Sequence, residues 1–274
     1  MSPHDHDPAE TGARLRALYT PVGGVPQVFS AKVADYVAAR PDYPAALFDT
    51  LAREAGLQPG AAVADIGAGT GLLTRDLLAR AAQVTAVEPS AEMRAACDQA
   101  LAGRAGYRSL EGQAEATGLA DASVDLITAA QAFHWFDIDP ARREALRILK
   151  PHGQVALIWN DRLPGDPMHT AMDDLFADFG GERRGAMLVH EGQRGDLSAF
   201  YGFTPRQFEF DHAHVLDRGG LQALAFSRSY MPARNTDAGC AASRALDALF
   251  DRFAQDGQVV VRYRTVMMLG RPRG

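Results

Sequence analysis

Apolar and polar positions along the 274-residue chain switch between two periods at regular intervals. Short apolar runs predict strands at Ala62–Ile66, Gln83–Val87, Tyr107–Glu111, Val124–Ala129 and Gln154–Trp159. Between them, apolar residues at helical spacing predict helices over Leu72–Ala81, Ala91–Leu101 and Pro140–Leu149, the last closed by a Lys150-Pro151-His152-Gly153 loop. Strand and helix alternating at this spacing imply a mostly parallel sheet covered on both faces. Upstream, Val33, Tyr36 and Val37 give Phe29–Arg40 a helical pattern. Pro41 and Pro44 stop it before a second helix, Ala45–Ala55.

After Trp159 the rhythm breaks. Residues 161–203 hold turns, a helix near Ala171–Phe179 and the polar stretch Gly180–Arg184. A strand follows at Gln207–Leu216, then helices over Leu221–Ser227 and Cys240–Gln255, and a final strand at Val259–Leu269. Residues 1–28, with turns such as Pro21-Val22-Gly23-Gly24, read as a flexible arm or cover segment. The expected organisation is a core at 29–160, cover insertions at 161–206 and 217–257, and C-terminal strands at 207–216 and 258–270 that complete the sheet.

Composition narrows the function more than the fold. A net charge of −6 provides no global attraction for phosphates, so a nucleic-acid partner is not expected. Cys97 and Cys240 are far apart and have no metal-ligand spacing, which fits a reduced, cytoplasmic protein. No apolar stretch is long enough to suggest a membrane span, and no secretory signal is visible. The run His4-Asp5-His6-Asp7 reads as a polar tail or a metal-binding tract.

The chemistry concentrates in Val63-Ala64-Asp65-Ile66-Gly67-Ala68-Gly69-Thr70-Gly71, a strand running into a glycine-rich turn and a helix. Dinucleotides, FAD and S-adenosylmethionine all use such a turn, because glycine lets a ligand approach the backbone. Asp65 would repel a pyrophosphate, but it suits a ligand carrying an ammonium and a sulfonium; otherwise it is a helix cap. The spacing G-x-G-x-G departs from the dinucleotide pattern. Glu88 ends the second strand, where it can accept both ribose hydroxyls or stand as a solvated strand end.

Together with Val87-Glu88-Pro89-Ser90 and Met93, Gly112-Gln113-Ala114-Glu115, and Arg147-Ile148-Leu149-Lys150-Pro151-His152-Gly153, this turn resembles the class I S-adenosylmethionine-dependent methyltransferases over roughly 29–160. Phe29, Tyr36, Arg40-Pro41-x-Tyr43-Pro44 and Ala132–Asp137 resemble, more narrowly, the trans-aconitate-methyltransferase-like group acting on small molecules. The resemblance implies a Rossmann-like α/β fold with a seven-stranded, mostly parallel sheet, helices on both faces and a helical cover insertion. It places Gly67, Ala68 and Gly69 along the methionyl part, Asp65 near the amino group and Glu88 on the ribose. Pro89 and Met93 would flank the adenine, and Gln113 and Ala114 would meet its edge, although the family often has Asp where Gln113 stands. Gln131 would line the methyl-donor side. Tyr36 and Arg40, four apart on one helical face, would reach the cofactor carboxylate, or simply pack at a helix end.

Phe133, His134, Trp135 and Phe136 follow the fourth strand, at the edge where open α/β sheets bind ligands. Phe133 and Trp135 are candidate substrate walls. His134 is a candidate base or a structural hydrogen-bonder. From the irregular region, Asn160, His190, Arg228 and Ser229 are candidate substrate contacts and Tyr230 a candidate catalytic group. Arg228 would pair with a substrate carboxylate or form an ordinary surface salt bridge. No cluster has metal spacing, so a metal-independent reaction is expected. The leading expectation is methyl transfer to O, N or C of a small molecule, leaving S-adenosylhomocysteine, by a monomer or homodimer. Alternatives are a non-methylating cyclase, lyase or pericyclase using the same cofactor, a catalytically silent binder of it, and a nicotinamide oxidoreductase, which the glycine spacing disfavours.

Overall fold

A computed structural model describes residues 8–30, 32–81, 83–192 and 197–273, with the side chains of 8–12, 22, 25, 26, 30 and 190–192 left out. The His4–Asp7 run therefore lies outside the described residues. Seven strands form one sheet: β1 Ala62–Ile66, β2 Gln83–Val87, β3 Tyr107–Leu110, β4 Val124–Ala130, β5 Leu149–Arg162, β6 Arg206–Leu216 and β7 Val259–Gly270. Their order is β3-β2-β1-β4-β5-β7-β6. All pairs from β3 across to β5 are parallel, and β7 is antiparallel to both its neighbours.

Successive side chains of a strand point to opposite faces, and here both faces are buried. Val63, Leu126, Ala156 and Met267 meet α4 (Ala45–Ala55) and α5 (Leu72–Leu78) through Leu47, Phe48, Leu51, Leu73 and Leu77. Their neighbours Ala64, Ile127, Leu157 and Met268 turn the other way, onto α7 (Ile138–Ile148) and α9 (Leu197–Tyr201). A third core lies within the cover: α8 (Pro167–Gly192), α10 (Arg218–Phe226) and α11 (Asp237–Phe253) pack Phe176, Leu224 and Leu246 against the start of β7. The remaining helix of the core, α6 (Ala91–Ala100), is capped by Ser90, whose hydroxyl accepts the Met93 N–H. Among the described residues no helix is long and apolar enough to cross a membrane.

Several elements differ from the sequence expectation. The helix predicted over Phe29–Arg40 is two, α2 (Val25–Ser30) and α3 (Val33–Ala39). At the break, Lys32 directs its ammonium to the carbonyls of Phe226 and Met231 at 2.8 and 3.1 Å, and burial lowers its pKa to about 8. Lys150–Gly153 is not a loop but part of β5, accommodated by a register shift between Val124 and Leu126. The polar stretch at Gly180–Arg184 does interrupt the helix: Gly181 leaves helical geometry (φ 55°, ψ −150°), a conformation open to glycine, so α8 is two helical segments that meet at a kink, the second not predicted from the sequence. The described part of residues 1–28 is not an irregular arm. Pro8–Ala17 is a helix, α1, and Leu15, Tyr19 and Val28 are buried against Met187 of α8.

Candidate active site

The strand order reverses between β1 and β4, and the crevice at their carboxyl ends is where an open α/β sheet takes a ligand. A cavity of about 380 Å³ sits there. The glycine-rich turn forms its floor, with Gly67 and Gly69 at φ 69° and 57°. A side chain at Gly67 would meet the Ala132 methyl at 2.6 Å, so the turn is closed against the segment after β4. Gly67 and Ala68 donate their N–H groups to the Val87 carbonyl, which fastens the turn to the end of β2.

Glu88 is the polar centre of the wall. One carboxylate oxygen accepts the Gly69 N–H and the other the Ser90 N–H, each at 2.9 Å, and the residue is 8% exposed. Burial raises its pKa, opposed by those two N–H groups. Each oxygen keeps a lone pair for a further donor. Pro89, Met93 and Ala114 supply an apolar slot beside it, with Gln113 and Phe136 at the rim. The loop carrying Gln113 and Ala114 is braced from behind: Glu144 of α7 accepts the backbone N–H and the hydroxyl of Thr117 and pairs with Arg147. Arg147 and Thr117 hold the Glu144 carboxyl well below the usual range, at about 2.

The roof is aromatic and comes largely from the N-terminal segment. Tyr19 and Phe29 meet Trp135 edge-on at 5.5 and 5.8 Å, and Phe29 meets Tyr36 at 6.4 Å. Tyr19 also hydrogen-bonds Ser229 at 2.9 Å. Arg16, Thr20 and Gly24 complete the cover. Because Tyr19 is fully buried between Trp135 and the α8 contact, Tyr19→Ala should weaken S-adenosylhomocysteine binding about 10-fold. It should also destabilise the protein by about 3 kcal/mol, read by calorimetry and thermal melting.

A second cavity, of about 390 Å³, lies on the far side of Gln131 and His134. Arg40, Asn160, Arg228 and Tyr263 line it. A narrow space of about 60 Å³, bounded by Tyr36, Arg40, Gln131 and Trp135, connects the two. Gln131 borders all three spaces. Its backbone is in the left-handed region, φ 55°, with its N–H on the Ile158 carbonyl at 2.9 Å. Non-glycine residues adopt that conformation uncommonly, and here it holds the Gln131 backbone where the three spaces meet.

These spaces sort the expected site residues. Tyr36, Gly67, Gly69, Glu88, Pro89, Met93, Gln113, Ala114 and Gln131 meet in the first cavity. Ala68 does not line it and packs toward Cys97 and Leu101. Asp65 is also absent from the wall. It is 1% exposed and accepts the hydroxyls of Thr74 at 2.6 Å and Thr128 at 2.8 Å. The carboxylate therefore ties α5 and β4 to the turn from behind. Burial lifts its pKa to about 6, resisted by those hydroxyls.

Arg40 lies in the neck and second cavity, with its guanidinium 4.6 Å from the Tyr36 ring and on the Ser227 carbonyl at 3.1 Å. His134 stands between the same two spaces, its ring 4.9 Å from that of Trp135. Ser229 and Tyr230 border the neck. Phe133 is a core residue, edge-on to Phe136, Trp159 and Phe200. The His190 side chain lies outside the described residues. Sequence reasoning missed Tyr263, Arg162 and the covering Arg16 and Thr20. An exposed-looking arginine or a strand tyrosine carries no local signal of the cavity it faces.

Residues 64–157 match the model of the Methyltransferase domain family. An uncharacterized methyltransferase of Schizosaccharomyces pombe is 34% identical over 179 residues, covering 65% of this chain and 68% of the relative. An uncharacterized methyltransferase of Mycobacterium tuberculosis is 42% identical over 140 residues, 49% of this chain and about half, 52%, of that protein. Among solved structures, one described as a type II methyltransferase from Anaeromyxobacter dehalogenans superposes with a TM-score of 0.62 at 25% identity, over 85% of this chain and 99% of that one.

The fold, the glycine turn with its strand-end glutamate and these relatives place the chain among the class I S-adenosylmethionine-dependent methyltransferases. It is an enzyme, and its cofactor is S-adenosylmethionine. The first cavity fits that group: a buried carboxylate with two free lone pairs, an apolar slot for a base and a turn without side chains in the way.

Proposed function

We propose that this methyltransferase acts on a small-molecule metabolite, at an oxygen, nitrogen or carbon, without a metal. The observation that carries this reading is the second cavity, which shares Gln131 with the cofactor cavity and the narrow neck between them. A recessed space of about 390 Å³ suits a metabolite better than a nucleic acid, as does a chain of net charge −6.

In this reading Glu88 holds the ribose, and Pro89 and Met93 flank the adenine beside Gln113 and Ala114. Gly67 and Gly69 leave room for the methionyl chain, with Tyr36 and Gln131 beside it. Bound S-adenosylmethionine would supply an electrophilic methyl to an electron pair of the acceptor, with S-adenosylhomocysteine as the leaving group and a proton lost from the acceptor. Since the sulfonium is already activated, the protein's main task is alignment. Gln131, fixed by its backbone between the cavities, orients the acceptor, and His134 is placed to take the proton. The core at 29–160, with Arg16, Thr20 and Gly24 above it, serves the cofactor, and the acceptor is shared between that core, the segments at 161–206 and 217–257, and Tyr263 of β7.

The test is incubation of the enzyme with S-adenosylmethionine bearing a deuterated methyl and a filtered small-metabolite extract. The expected result is one labelled methyl on a small molecule, in step with S-adenosylhomocysteine. A product of unchanged mass, or label found on nucleic acid instead, overturns the reading.

A further inference from the structure

The second cavity has a charge pattern of its own. Among the described residues, Arg40, Arg162 and Arg228 border it, against the one carboxylate of Asp161. Arg162 is engaged by Asp173 of α8. Arg40 and Arg228 sit close enough to repel. Burial first, then this repulsion, pulls the Arg40 guanidinium below its ordinary value, although Tyr36 favours its charge. Arg40 spends one nitrogen on the Ser227 carbonyl, while its buried Nε has no hydrogen-bond partner among the described residues. Tyr263, from β7, is 2% exposed, and its hydroxyl also lacks a partner. The buried Arg40 Nε and Tyr263 hydroxyl, left unused beside two mutually repelling guanidiniums, are costly until something accepts their hydrogen bonds.

We propose that this cavity binds an anionic head group of the acceptor, a carboxylate or phosphate, between Arg40 and Arg228 with Tyr263 Oη donating to it. The reading rests on the proposed small-molecule acceptor and names its chemical class. The anion anchors one end of the acceptor, and its nucleophilic atom extends past His134 into the neck, toward the methyl donor. Arginine suits this task because its planar fork grips two oxygens at once. Because Gln131 borders both cavities, the division would also keep the acceptor's anion apart from the cofactor's positive charge.

The test is a binding titration on the full chain saturated with S-adenosylhomocysteine, so that the first cavity is closed to the probes. Succinate, glutarate, adipate and phenyl phosphate are compared with the matching neutral diamides. At least one anion should raise the melting temperature saturably, the diamides should not, and the comparison of carboxylates with phosphate identifies the head group. Arg228→Met should weaken that anion about 30-fold and Tyr263→Phe about 5-fold, with S-adenosylhomocysteine affinity held within about twofold. Diamides that bind as well as the anions, no anion binding, or anion binding indifferent to both substitutions overturns the proposal. Should Arg228→Met no longer bind S-adenosylhomocysteine, Tyr263→Phe, which keeps the ring and removes one hydroxyl, decides alone. Methylation plays no part in this readout. Intact anion binding without methyl transfer overturns the acceptor reading, and methyl transfer without charge preference overturns the anion site.

Discussion

Glu88→Ala should weaken S-adenosylhomocysteine binding by about 100-fold or more, since hydrogen bonds to a charged group contribute about 1.5–3 kcal/mol each and two are lost. The expectation follows from how the carboxylate is held. The Gly69 and Ser90 N–H groups each occupy one oxygen, which fixes the plane of the group and leaves its remaining lone pairs at the cavity wall. A ribose presents two adjacent hydroxyls to such a plane. Alanine also leaves the Gly69 and Ser90 donors without their acceptor, so the turn loosens and the unliganded protein loses about 1–3 kcal/mol. Glu88→Gln separates the two effects. It keeps the shape and one acceptor but turns an amide toward a backbone N–H, and should cost about 10-fold in affinity. Isothermal titration reads both; an alanine variant binding like the wild type would remove Glu88 from the ribose.

Asp65→Asn should do the reverse, stabilising the ligand-free protein at pH 8. Asp65 is buried with two threonine hydroxyls as its partners, and its pKa rises to about 6. A raised carboxyl pKa means the folded state binds more protons than the unfolded one between about pH 4 and pH 6, so stability falls as pH climbs through that window. With each pK unit equal to about 1.4 kcal/mol, the wild type gives up roughly 3 kcal/mol by neutral pH. Asparagine keeps the size, accepts one hydroxyl and donates to the other. Its melting temperature should exceed that of the wild type by about 5 °C at pH 8, with the difference vanishing near pH 4. Since Asp65 stands behind the turn, cofactor affinity should drop by less than about 10-fold, through loss of its negative field alone. A loss of about 100-fold or more would return Asp65 to direct contact with the cofactor.

The contrast between these carboxylates shows what the chain discloses and what it withholds. Both end a parallel strand and both read as cofactor contacts. Glu88 faces the cavity because Ser90, two residues on, turns its N–H back to it; that partner is local. Asp65 is claimed by Thr74 on the next helix and Thr128 on a strand more distant in sequence, and no spacing announces the second. The parallel strands were legible because burial on both faces makes them continuous apolar runs. The second segment of α8 was not, because nothing in the polar Gly180–Arg184 stretch announces that helical backbone resumes directly after the kink at Gly181. The second cavity was least legible. Arg40, Asn160, Arg228 and Tyr263 come from four separate segments: the end of α3 packed on the end of α10 joins Arg40 to Arg228, and the closure of β7 onto β5 brings Tyr263 to Asn160.

That closure also sets an order of assembly. β5 pairs with β4 as soon as both have left the ribosome, but its other edge waits for β7, with residues 163–258 in between. During synthesis, at roughly 5–20 residues per second, the nascent chain spends several seconds with Leu157, Ile158 and Trp159 on an open edge. The wall carrying Tyr263 arrives with β7, so the acceptor pocket's lining is the last part of the two cavities to be synthesised.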